Sequence, residues 1–220
     1  MKRMRRSFAD TINVAEPLAK IEEKHLLEFL KVEKGHCVLD IGAGPGRLAS
    51  KVSALGGTVV GLDLTPGALT QAMNHVPRER FQPVLCDLDV GIPFENDAFD
   101  AAFCVRVLKY LSSPEQLIGE VFRVLRTGGI FVLEISNRYS WEHAYYKLRR
   151  QSPWKFFRKG EVCQMLKLAG FRLGESRPLH KVPSALYGLD SIIRRLTPEQ
   201  LLSRGIMLQA LKQECKQLSC

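Results

Sequence analysis

Long apolar runs are what this chain most plainly lacks. No stretch of its 220 residues approaches the ~20 consecutive apolar residues that a membrane-crossing helix needs. That excludes a channel or transporter built from spanning helices. The basic start, Met1-Lys2-Arg3-Met4-Arg5-Arg6, lacks the apolar segment of a secretory signal, because Ser7, Asp10, Thr11 and Asn13 interrupt it. Cysteine is sparse, with 6 residues and no C-x-x-C, and the 5 histidines form no H-E-x-x-H. A zinc site is therefore not expected, and no other metal spacing is present. Cys37, Cys86 and Cys104 fall in or beside expected core strands, and Cys163 falls in an expected helix. Free thiols there behave as small hydrophobes and suit a reducing, cytoplasmic setting. No internal repeat, RNA-binding module, Asn-Pro-Pro-Tyr motif or Pro-Cys nucleophile is present.

What is present fits one globular domain: 45% of residues are hydrophobic and the length is ordinary for a single α/β unit. The net charge of +9 is unevenly spread. Residues 35–135 hold 8 Lys+Arg against 11 Asp+Glu, whereas residues 136–220 hold 16 against 6. The basic part suits an anionic substrate, a membrane surface or nucleic acid, or is a solvated face.

The most informative segment is Val38-Leu39-Asp40-Ile41-Gly42-Ala43-Gly44-Pro45-Gly46-Arg47-Leu48-Ala49. Val38, Leu39 and Ile41 read as a buried parallel strand. Glycine then recurs at every second position, and Leu48, Val52 and Leu55 begin a helical face. The spacing is G-x-G-x-G, not the G-x-G-x-x-G of a dinucleotide turn. Thr58–Asp63 is a second strand ending in an acid, where dinucleotide folds hold ribose hydroxyls; the other reading of Asp63 is a turn or cap carboxylate. Pro83–Leu88 is a third strand, with Asp87 at its end, and Phe99–Leu111 is a fourth strand with its following loop.

These motifs resemble the class I S-adenosylmethionine-dependent methyltransferases, whose first motif reads D/E-x-G-x-G-x-G. The resemblance spans about residues 8–178 and is specific for the cofactor half. It implies a bound S-adenosylmethionine, contacted by Asp40, Gly42, Ala43, Gly44 and Gly46 of the glycine turn. It places Asp63 at the ribose, Asp87 and Leu88 at the adenine, and Cys104 and Val105 at the methionine end, with Leu64 a further cofactor contact. Where this family often has His after the fourth strand, this chain has Tyr110.

The expected fold is α/β: a doubly wound, mostly parallel seven-stranded sheet of Rossmann-like type, with an N-terminal helix and a C-terminal helical extension. Residues 1–34 are expected to form a helical lid segment, with an amphipathic helix over 14–31 and Phe8 before it. Residues 35–189 are expected to form the cofactor-binding domain. The sixth strand is expected over 171–179 and the seventh over 180–187. Residues 190–220 are expected to be helical, starting near Thr197-Pro198-Glu199. Acceptor-side candidates are Arg106, Tyr110, Arg138 and Tyr139, with Asn137 and Trp141 beside them, because each follows strand 4 or 5 at the ligand edge. The expected chemistry is methyl transfer to a small or lipid-like, anionic or aromatic acceptor, with membrane-surface contact through basic residues 136–220. The alternatives are an RNA methyltransferase and a catalytically silent cofactor-binding protein.

Overall fold

A computed structural model describes residues 16–150, 152, 154–179 and 203–213. Helix α1 spans Glu16–Leu30, followed by β1 (Cys37–Ile41), α2 (Arg47–Ala54), β2 (Thr58–Asp63) and α3 (Pro66–His75). Strands β3 (Phe81–Leu85) and β4 (Phe99–Cys104) lead to α4 (Pro114–Val124) and β5 (Leu125–Ser136). Then come α5 (Trp141–Leu148), α6 (Lys159–Leu168), β6 (Phe171–Leu179) and β7 (Gly205–Lys212). The strands form one sheet in the order β3-β2-β1-β4-β5-β7-β6. The first five strands are parallel to one another, and β7 is antiparallel to both β5 and β6.

Both faces of the sheet are covered, so the central strands are apolar at nearly every position rather than at every second one. Val38, Val59, Phe103, Val132 and Met207 pack under α1, α2 and α3 with Leu26, Phe29, Leu48 and Val52. Leu39, Ile41, Leu62, Phe131 and Leu133 face the other way, toward Leu117, Ile118, Val121, Val162 and Leu166 of α4 and α6. By this alternation Asp40 and Glu134 lie on the α1 face, in the middle of apolar strands. Parallel β–α–β crossovers bring the carboxyl ends of β1 to β5 to one edge, and there the site lies.

Two expectations are corrected. The C-terminal residues 190–220 are not a helical extension throughout, because Gly205–Lys212 is a strand inside the sheet. The sheet domain therefore runs past residue 189 to Lys212. Ile206, Leu208 and Ala210 enter one core and Met207 the other, which is the two-residue period of a strand buried on both faces. Gln209 is anchored by donating from Nε2 to the Phe29 carbonyl at 2.7 Å. A short, mostly apolar run such as Ile206–Leu211 cannot be told from helix by periodicity alone. The seventh, antiparallel strand expected over 180–187 is Gly205–Lys212, paired with β5 and β6. Residues 180–187, Thr197-Pro198-Glu199, Phe8, Cys215 and Cys220 lie outside the described residues.

A smaller difference concerns the glycines after α4. The sequence places them at a helix end, yet α4 stops at Val124 and the chain passes directly into β5. Gly128 and Gly129 serve instead where the β4–β5 register shifts between Phe99 and Ala101.

Candidate functional site

The glycine turn leaves β1 with Gly42 and Ala43 both donating to the Leu62 carbonyl at 2.8 Å, which ties the turn to β2. Gly42 has a left-handed φ of +78°, and a Cβ there would collide with Val107. Gly44 is also left-handed, at +52°, but a Cβ there would meet nothing within 4 Å. Gly42 is thus glycine for packing. Gly44 is glycine where backbone faces open space, which is what a closely approaching ligand requires.

Asp63 closes this cradle. Its Oδ2 accepts from Gly44 N at 2.9 Å, and its Oδ1 accepts from Thr65 N at 2.8 Å. The carboxylate therefore joins the glycine turn to the start of α3, which is its turn role. Each oxygen keeps a second lone-pair direction for a hydroxyl donor. Leu64 beside it is 46% exposed, an apolar surface at the same edge. Asp87 accepts from Asp89 N at 3.1 Å, and Leu88 beside it is nearly buried.

Asp40 is buried, and its Oδ2 has no hydrogen-bond partner. Burial pushes its pKa well above the usual carboxylate range, the Asp63 charge adds to this, and Arg47 opposes it. A donor or a positive charge is what would complete a buried acid oxygen left this way. Cys104, by contrast, has no exposed surface, and burial lifts its thiol to about 12. Strand alternation turns its side chain into the α4-side core with Ala102, so the thiol is not presented as a nucleophile. Val105 is nearly buried against the opposite core.

The acceptor-side candidates separate into three settings. Arg106 is left-handed at φ 66° and turns inward. Its Nε and Nη2 donate to Glu22 Oε1 at 2.8 and 2.6 Å. The other oxygen of Glu22 accepts from Arg47 Nη2 at 2.8 Å. Glu134 lies 3.9 Å from the Arg106 guanidinium, and its Oε2 is otherwise unpartnered. Burial pushes the Glu134 carboxyl up to about 7, helped by the Glu22 charge, against the pull of Arg106 and Lys109. The motifs alone did not single out Glu22 and Glu134. The available signal was an acid inside the apolar run Val132-Leu133-Glu134-Ile135.

Tyr110 packs edge-on to Trp154, with the Lys109 ammonium 4.3 Å from the Trp154 ring. Burial raises the Tyr110 phenol to about 12, so it holds its proton near neutrality. Arg138 and Tyr139 lie on the outer loop after β5 and are half exposed. Arg138 lines an open cavity of about 500 Å³ with His143, Trp154, Lys155 and Phe156, between the starts of α4 and α6. The Arg138 carbonyl accepts from His143 Nδ1 at 2.6 Å, which places the proton on that nitrogen. The structure thus brings Arg106 to the lid helix, Tyr110 to an aromatic stack and Arg138 to a groove, rather than all of them to one point. Among the described residues no group of three or more His, Cys, Asp or Glu is placed to hold a metal ion.

Comparison with known proteins agrees with this geometry. Residues 39–133 match the family model described as a methyltransferase domain. A demethylmenaquinone methyltransferase of Tropheryma whipplei is 34% identical over 123 residues, 55% of this chain and 51% of that protein. A sterol methyltransferase-like protein of Botryococcus braunii is 30% identical over 118 residues, 51% of this chain and 30% of that protein. The chain therefore matches 30% to 51% of the length of these curated relatives. A solved S-adenosylmethionine-dependent methyltransferase from Mesorhizobium loti superposes with a TM-score of 0.69 at 18% identity, covering 89% of this chain and 98% of that one. The cofactor of this domain class is S-adenosylmethionine, and the open Gly44 cradle and the orphaned Asp40 oxygen fit it. Residues 39–133 of this chain match a methyltransferase domain, carried on a seven-stranded sheet that superposes on that solved structure.

Proposed function

We propose that the chain transfers a methyl group from S-adenosylmethionine to a small or lipid-like acceptor by in-line displacement. One observation carries this reading: the left-handed Gly44 faces open space while Asp63 fixes its amide and Asp40 waits beneath without a partner. When bound, the cofactor supplies a sulfonium-activated methyl, so the protein contributes mainly position and dryness. Holding the reacting atoms in near-attack geometry is worth ~7–11 kcal/mol. Asp63 orients the ribose hydroxyls and Asp87 the adenine. Leu64 and Leu88 cover the base, and buried Val105 excludes water beside the methionine end. The net acidic segment 35–135 suits a cationic cofactor.

On the acceptor side, the cavity combines the Trp154 and Phe156 rings with Arg138 and Lys155. Glu115 and Glu161 line it too, so the lining favours an apolar or aromatic body with a polar end. Relatives named for sterol, squalene and menaquinone substrates support a lipid-like class. Calorimetric titration with S-adenosylhomocysteine, with NADH as control, tests the cofactor. Transfer of labelled methyl to quinone precursors, sterols and RNA in parallel tests the acceptor. Binding of the homocysteine product alone, with label in the apolar acceptors, is expected. Label in RNA alone would replace the acceptor class, and NADH binding alone would overturn the reading.

A further inference from the structure

Among the described residues, helix α5 turns its most apolar side chains to solvent. None of its residues is buried. Trp141 is 49% exposed, Tyr145 50% and Leu148 86%. At 3.6 residues per turn these three fall within about 60° of one another on the helix surface. Tyr139, just before the helix, is a further exposed aromatic. The opposite side holds the helix down: Tyr146 packs edge-on to Trp154, His143 lies against Phe156, and Glu142 pairs with Arg204 at 3.3 Å. The outward stripe is therefore fixed in direction, not a side effect of a loose helix.

Cations border the stripe. Lys147, Arg149 and Arg150 are exposed, and the Arg149 guanidinium lies 4.7 Å from the Tyr145 ring. Residues 138–155 carry five Lys+Arg and one acid, Glu142. A solvent-facing stripe of Trp, Tyr and Leu rimmed by Lys and Arg has the chemistry of an interfacial helix. Its rings and Leu148 enter the headgroup boundary while the cations meet anionic headgroups. Tyr139 and the start of α5 follow β5 directly, at the same carboxyl edge that carries Gly44 and Asp63.

We infer that the Trp141–Tyr145–Leu148 face of α5, with Lys147, Arg149 and Arg150, docks the protein onto an anionic lipid bilayer. Docking there turns the ligand edge toward the membrane, where an apolar acceptor resides. The orientation argument rests on the proposed methyl transfer to a lipid-like acceptor; the docking itself does not. The charge complementarity selects anionic over zwitterionic lipid, and it is screened by salt.

The test is flotation of the full chain with phosphatidylcholine vesicles, with and without phosphatidylglycerol. Wild type is expected to float with the anionic vesicles, less so as salt rises. The W141S/Y145S/L148S variant is expected to lose about tenfold or more of that partitioning, with S-adenosylhomocysteine binding unchanged as proof of an intact fold. A second variant, R149E/R150E, keeps the apolar stripe and is expected to lose the preference for anionic lipid. Wild type that ignores anionic vesicles, or a triple variant that floats as wild type does, overturns the proposal. Binding to polyglutamate but not to vesicles also overturns it, in favour of an acidic protein partner. Flotation without any S-adenosylhomocysteine binding would leave the docking standing and remove the methyl-transfer reading.

Discussion

At Gly44 two constraints meet: a left-handed φ of +52° and open space where a side chain would point. A branched residue there strains the turn by roughly 1–2 kcal/mol and fills the cradle. The neighbouring packing is untouched, so the chain still folds. Gly44→Val is therefore expected to abolish S-adenosylhomocysteine binding in a folded protein, as read by calorimetry. Undiminished affinity would remove the turn from the site. Glu134 offers a second test, through pH. In the unfolded chain its carboxyl ionises near ~4.3, but in the fold burial holds it at about 7. Between those values the folded chain keeps a proton that the unfolded chain has lost, so this group makes stability fall as pH rises, and its effect is complete above pH ~7. Glu134→Gln removes the titration. Its stability relative to wild type should rise by about 1–3 kcal/mol between pH 5 and pH 8. Denaturant midpoints at the two pH values measure this, and an equal difference at both would show that Glu134 ionises normally.

Among the elements, α1 is held by an unusual contact. Its Glu22 is fully buried, with one oxygen on Arg106 and the other on Arg47. The helix is thereby fastened to the end of β4 and to the start of α2, the helix of the glycine turn. Glu22→Ala leaves Arg106 buried beside Glu134 without its closer partner, and removing one member of a buried pair costs about 3–5 kcal/mol. Denaturant unfolding should show that loss, and hydrogen exchange should show it first in α1. A loss below ~1 kcal/mol, the scale of an exposed pair, would mean the helix is held by Leu26, Phe29 and Leu30 alone. The sequence displayed some of this element scale and hid the rest. Strands β1 to β4 were legible because each joins an apolar run to a turn signal within a few residues. The positions of Asp40, Gly44, Asp63 and Asp87 followed from that local pattern. Strand β7 was hidden because its partners are set by pairing across the chain: Leu208 opposes Leu133 in β5 and Ser176 in β6. The Glu22–Arg106 latch was hidden for the same reason, since 84 residues separate its members. An amphipathic helix shows which face is apolar, but not that one acid on it is buried.

In the whole molecule the two halves of the charge distribution have different places. The net acidic segment 35–135 surrounds the cofactor cradle, and the net basic segment 136–220 contributes α5 and its exposed rings. Both belong to one sheet, because β7 inserts between β5 and β6 and closes the C-terminal part onto the cofactor part. Strand β5 is parallel to β4 on one side and antiparallel to β7 on the other, so the two halves share their hydrogen bonds. The proposed cofactor site is itself distributed, taking Gly44 from the turn after β1, Asp63 from the end of β2 and Asp87 from beyond β3. An unfolded chain cannot assemble it, and a ligand that binds it stabilises everything the sheet joins. S-adenosylhomocysteine at about 100 times its dissociation constant should add ~2.7 kcal/mol. For a chain of this size that is an upward shift of roughly 5–10 °C in one cooperative transition. Gly44→Val should melt with no shift under the same ligand concentration. If wild type instead shows two transitions and only one moves, the β5-β7-β6 part unfolds apart from the cofactor part. An unmoved single transition would mean that the ligand does not bind the cradle.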